Sequence, residues 1–109
     1  MLKVGGMWVS PVEVESTLFQ HAAVLEAAVV GEKDQDGMIK PKAYVVLRHG
    51  YAGDEAMERE LKVFMRDKIA PYKHPRWITF VSELPKTATG KTQRFKLRNA
   101  ALARETSEP

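Results

Sequence analysis

Residues 24–31 (VLEAAVVG) and 43–47 (AYVVL) decide the fold. Both are strand-length runs rich in β-branched residues, and the 32–42 stretch between them is polar and contains Gly37. They predict two antiparallel strands joined by a turn over 32–42. Toward the N-terminus, Ser10, Pro11 and Glu13 stand as N-cap, first and third residues of a capping box. A helix is expected over about 11–20, with Val14 and Leu18 facing inward. Ahead of it, residues 3–9 (KVGGMWV) place two short apolar pieces around Gly5-Gly6, a tight hairpin signal because glycine tolerates positive φ.

Toward the C-terminus, Asp54 is a candidate N-cap, and Met57, Leu61, Phe64, Met65 and Ile69 recur at helical spacing. Glu58 precedes Lys62 by four residues, as an exposed helical ion pair requires. A second helix is expected over 54–69. Pro71 and Pro75 bracket a loop, 77–81 (WITFV) reads as a strand, 84–92 is turn-rich, and a short helix is expected over about 95–103. Residues 105–109 read as a frayed tail. The expected fold class is α+β, a small, mostly antiparallel sheet with about three helices, preceded by a short N-terminal β-hairpin.

At 109 residues, 44% hydrophobic and 28% charged, the chain has the size and apolar content of a single domain, 1–109, and too much apolar material for a disordered tail. Without cysteine it offers no disulfide, thiolate metal site or thiol nucleophile. His21, His49 and His74 lack metal-ligand spacing, so no metal is expected. No apolar run approaches the ~20 residues of a membrane span, and no leader pattern opens the chain, so no membrane partner and a cytoplasmic location are expected.

The net charge of +3 conceals an asymmetry. Residues 1–70 carry nine Lys/Arg against eleven Asp/Glu, whereas 71–104 carry eight against Glu83 alone. So basic a segment suits a phosphate-bearing partner as well as a solvated face. Within it, residues 84–92 (LPKTATGKT) set Lys91 behind Gly90 in a threonine-bearing loop. A phosphate-cradling P-loop needs a glycine five residues before the Gly-Lys pair; that position is Pro85, which has no N–H to offer.

Three segments together carry a family resemblance: residues 1–15 (MLKVGGMWVSPVEVE), 72–76 (YKHPR) and 84–91 (LPKTATGK). In this order and spacing the chain resembles the C-terminal domain of the adenylate-forming acyl-CoA synthetases, and most nearly that of benzoate-CoA and related aryl-CoA ligases. The resemblance implies a two-step reaction. A carboxylate and ATP first give an acyl-adenylate and pyrophosphate, and the thiol of coenzyme A then displaces AMP. It also implies that this chain is the mobile C-terminal lobe and that a large N-terminal domain, absent here, binds acid, ATP and its Mg. The pivot residue would precede Met1, and the chain alone is expected to adenylate nothing.

The resemblance assigns Lys91 to the junction of carboxylate and α-phosphate in the adenylation step, with Gly90 and Thr89 supporting its loop. With an ordinary pKa of ~10.4 a lysine is cationic at neutral pH, so its role there is electrostatic rather than basic. Gly5 and Gly6, with Lys3, match the loop lining the pantetheine tunnel. Tyr72, Lys73 and Arg76 match contacts to the coenzyme A nucleotide, through ring stacking and cation–phosphate pairing. For Lys3 a plain exposed strand lysine is the competing reading, and for Tyr72 a ring capping the core. Relatives of this kind are regulated by acetylation of the catalytic lysine, which removes its charge. A lysine acetyltransferase and a deacetylase are then partners besides the chain's own N-terminal domain. The rival reading is a basic protein-interaction or nucleic-acid-binding module built on Lys91, Arg94, Lys96 and Arg98, although Trp77 and Phe95 form no recognisable RNA-binding signature, and no nucleic-acid partner is expected.

Overall fold

The structure is a computed structural model and describes residues 2–4 and 6–85. Strands β1 (Leu2–Val4) and β2 (Met7–Val9) form an antiparallel hairpin with Lys3 opposite Trp8. Helix α1 (Pro11–Phe19), strands β3 (Val24–Lys33) and β4 (Ile39–Leu47), helix α2 (Glu55–Arg66), a 3-10 turn at Pro71–Lys73 and strand β5 (Trp77–Phe80) follow. The second sheet has the order β3-β4-β5. Two α-helices stand among the described residues, against the three or so expected. The one expected over 95–103 lies outside them, as do Gly5, Thr89, Gly90 and Lys91.

Both helices start where their caps require. Ser10 Oγ accepts the Glu13 amide at 3.4 Å, and Asp54 Oδ1 accepts the Met57 amide at 2.9 Å, each satisfying an otherwise orphaned first-turn donor. Val14 and Leu18 of α1 and Leu61 and Met65 of α2 are fully buried against Val29 and Val45 of the sheet and Val4 and Val9 of the hairpin. Burying each such leucine stabilises the fold by roughly 1.5–3 kcal/mol. The Glu58–Lys62 pair, 3.0 Å long and half exposed, belongs to a class that contributes only about 0.2–0.5 kcal/mol. Packing rather than charge therefore holds α2 in place.

Two expectations are corrected. The strands run well past the apolar segments, through the pairs Gly31↔Pro41 and Lys33↔Ile39, and the turn shrinks to residues 34–38. There Asp34 Oδ1 accepts the amides of Asp36 and Met38 at 2.9 and 3.0 Å. The polar residues that suggested a long turn include a cross-strand pair: Lys42, only 3% exposed, lies 3.1 Å from Glu32 Oε1 and 5.1 Å from the Tyr44 ring centre. The main sheet is also mixed rather than mostly antiparallel, because β5 runs parallel to β4 from Lys42↔Trp77 to Val45↔Phe80. The crossover containing α2 separates these strands, and parallel neighbours need such a connection.

The opposite face of this sheet is buried too, with Ala28, Val30, Tyr44 and Val46 packed beneath Leu84. At the start of α2, Gly53 is pressed against β5: a Cβ there would lie 2.7 Å from Phe80 Cβ, an atom no rotamer change can move aside. Gly53→Ala should therefore destabilise the chain by about 1–3 kcal/mol through overpacking. The check is a urea denaturation curve, whose midpoint should fall with unchanged slope; a midpoint equal to the parent's would contradict this contact.

Candidate functional site

Gly6 turns the hairpin at φ +82°, and a Cβ on it would meet nothing within 4 Å, so the demand for glycine is conformational and not steric. On one face of the hairpin Val4 and Val9 enter the core; on the other Lys3 lies exposed, its Nζ 5.8 Å from the centre of the Trp8 ring. Trp8 and Met7 are 60% and 51% exposed, an unusual allocation of large apolar side chains. Lys3 thus faces solvent on the strand.

Beside the hairpin lies an open cleft of about 370 Å³. Val4 and Met7 line one side, Tyr72, His74 and Arg76 another, and Lys40 enters from the beginning of β4. Among the described residues the lining holds two cations and no carboxylate, a composition that suits phosphate groups. The backbone sets this up. The Arg76 amide donates to the Pro41 carbonyl at 2.8 Å, joining the cleft segment to β4, and the His74 ring nitrogen Nε2 lies 2.9 Å from the Ile69 carbonyl. Pro41 has no N–H, but its carbonyl remains free to accept this bond.

Tyr72 packs its ring against the main core and also lines the cleft. Arg76 is exposed at the cleft, as a phosphate contact requires. Lys73 is arranged differently. Its Nζ lies 3.0 Å from each Glu13 carboxylate oxygen, and the residue does not line the cleft between its neighbours Tyr72 and His74. The hydrogen bond to Glu13 raises the Lys73 pKa above the ordinary lysine value, which keeps the lysine cationic. Glu13, expected to close the capping box, turns instead to a residue sixty positions on. Lys40 was not legible as a site residue because the 32–42 stretch reads as turn; the only sequence signal was a lysine beside a proline.

Among the described residues no group of three His, Asp or Glu side chains could hold a metal ion, and no helix is long and apolar enough to cross a membrane.

A family model described as AMP-binding enzyme C-terminal domain matches residues 13–91. Benzoate–CoA ligase of Thauera aromatica is 63% identical over 100 residues, covering 92% of this chain and 19% of that protein. The 4-hydroxybenzoate–CoA/benzoate–CoA ligase of Rhodopseudomonas palustris is 50% identical over 103 residues, covering 94% of this chain and 19% of its own. Among solved structures, the anthranilate CoA ligase AuaEII in complex with anthranoyl-AMP superposes with a TM-score of 0.92 at 61% identity, covering 96% of this chain and 20% of that one. The chain thus spans about a fifth of the length of these relatives. On a match that takes in most of α1, the cleft segment and the Gly90-Lys91 pair, the chain belongs to the AMP-binding enzyme C-terminal domain family.

Proposed function

We propose that this chain is the mobile C-terminal lobe of an AMP-forming acid–CoA ligase that acts on benzoate or a related aryl acid, 1–109 forming one domain beside a larger N-terminal partner domain. The observation that carries the reading is the cleft: cationic groups from β4 and the 72–76 segment face a glycine-turned hairpin, in a chain of this family. The aryl preference is supported by the benzoate ligases at 63% and 50% identity. The alternative of a basic interaction or nucleic-acid module has no comparable support, and its Lys91, Arg94, Lys96 and Arg98 lie outside the described residues.

In this reading ATP and coenzyme A are substrates of the whole enzyme, Mg accompanies ATP outside this chain, and the chain alone is inactive. Lys91, supported by Gly90 and Thr89, brings its fixed positive charge to the carboxylate and α-phosphate, holding two mutually repelling anions together as charge grows on the phosphoryl oxygens. Arg76 and Lys40 pair with coenzyme A phosphates, Tyr72 stacks against its adenine, and Gly5 and Gly6 admit pantetheine past a backbone without side chains, with Lys3 at the margin. Because Lys91 acts only as a cation, its acetylation by a cytoplasmic acyltransferase would switch off adenylation, and a deacetylase would restore it.

Lys91→Ala in the intact ligase should lower pyrophosphate release by about 10²–10³-fold while thioester formation from supplied benzoyl-adenylate continues. An equal fall in both half-reactions would contradict the step-specific role. Incubation with a lysine acetyltransferase and acetyl-CoA, followed by peptide mass spectrometry, should place the mark on Lys91 rather than Lys86, with loss of adenylation in proportion. Marks spread evenly over the surface lysines would remove the regulatory part of the reading.

A further inference from the structure

Both walls of the cleft are short segments held to the core by a few side chains, Val4 and Val9 on the hairpin and Tyr72 opposite, and a charged contact links them near the first turn of α1. The hairpin leads through Ser10 directly into the first turn of α1, where Glu13 stands at the third helical position. The opposite wall begins with the 3-10 turn Pro71–Lys73. Glu13 and Lys73 connect the two with a two-pronged ion pair, 3.0 Å to each oxygen, across sixty residues of sequence. The same wall is tied at its far end by Lys62 Nζ, 3.4 Å from the Arg76 carbonyl.

Solvent reaches this pair, with side-chain exposures of 21% for Lys73 and 42% for Glu13, so it adds little to global stability. Its value is geometric. A carboxylate in the first turn of α1 is favoured by the helix dipole, and the Ser10 cap on the Glu13 amide fixes the backbone that carries it, offering a lysine from the loop a defined partner. Lys73 passes 5.7 Å over the Tyr72 ring on its way, so the ion pair also restrains the ring that lines the cleft. Neither charged group of the pair lines the cleft itself.

We propose that Glu13 and Lys73 form a clamp that sets the spacing between the hairpin and the Tyr72–Arg76 wall, so that Lys73 serves coenzyme A as a positioning residue through Glu13 and does not pair with its phosphates. The role at coenzyme A rests on the ligase reading above. A direct phosphate ligand and a clamp answer differently to loss of Glu13. Removing the carboxylate frees Lys73 for a phosphate in the first case and releases the wall in the second.

The test is steady-state thioester formation by the full-length ligase from supplied benzoyl-adenylate, with coenzyme A varied. Glu13→Gln and Lys73→Met should each raise KM for coenzyme A roughly three- to tenfold with kcat little changed, within the range of couplings between contacting residues. The charge-reversed pair, Glu13→Lys with Lys73→Glu, should return KM to within about twofold of the parent, because it rebuilds the link. Circular dichroism melts on the same preparations confirm that each variant is folded. A KM unchanged or lowered in Glu13→Gln, with a rise in Lys73→Met alone, overturns the clamp and makes Lys73 a phosphate ligand. A reversed pair no better than its worse single variant overturns it as well. If the parent enzyme converts no adenylate to thioester, the ligase reading itself fails, and the clamp's role at coenzyme A fails with it.

Discussion

A single backbone hydrogen bond, 2.8 Å from the Arg76 amide to the Pro41 carbonyl, fixes where the candidate cleft of this chain lies. It leads into the parallel ladder between β4 and β5, and the 72–76 segment is therefore laid down beside the beginning of β4 and next to the hairpin. That placement brings Tyr72 and Arg76 to the same cleft as Lys40 of β4. The apolar core makes it possible. Leu61 and Met65 hold α2 against the sheet, and α2 is the crossover that lets β5 return parallel.

Charge is distributed around this frame according to exposure. Lys42 is buried and paired with Glu32, where leaving either partner alone would be costly. Lys73, with its side chain 21% exposed, is given to Glu13. Lys40 and Arg76 form no ion pair with described residues and remain at the cleft. A lysine and an arginine of one short motif thus have different surroundings, Lys73 on Glu13 and Arg76 at the cleft, and only the structure separates them.

The two described helices and the hairpin were legible because their signals are local: the Ser10 and Asp54 caps, the inward spacing of Val14 with Leu18 and of Leu61 with Met65, and Gly6 at the hairpin turn. What escaped was non-local. The strand extensions rest on Lys42 finding Glu32 across the ladder, and no apolar pattern announces a buried ion pair. The strand, helix, strand order over β4, α2 and β5 did contain the parallel pairing, though only through the geometry of crossovers. The contact of Gly53 with Phe80 has no local signature at all. At the candidate cleft, the YKHPR motif supplies the lining residues Tyr72 and Arg76, whereas the arrival of Lys40 and the diversion of Lys73 to Glu13 depend on residues far away in sequence. Lys91, the residue on which the motif reading places the chemistry, lies outside the described residues.

The central claim is that the cleft between the hairpin and the 72–76 segment receives the nucleotide end of coenzyme A. A crystal structure of the full-length ligase trapped with coenzyme A in its thioester-forming orientation tests it most directly. The account predicts density for the adenine against Tyr72, with phosphate oxygens within hydrogen-bond distance of Arg76 or Lys40 and Lys73 still on Glu13. Coenzyme A bound elsewhere, with the cleft open to solvent, would contradict it.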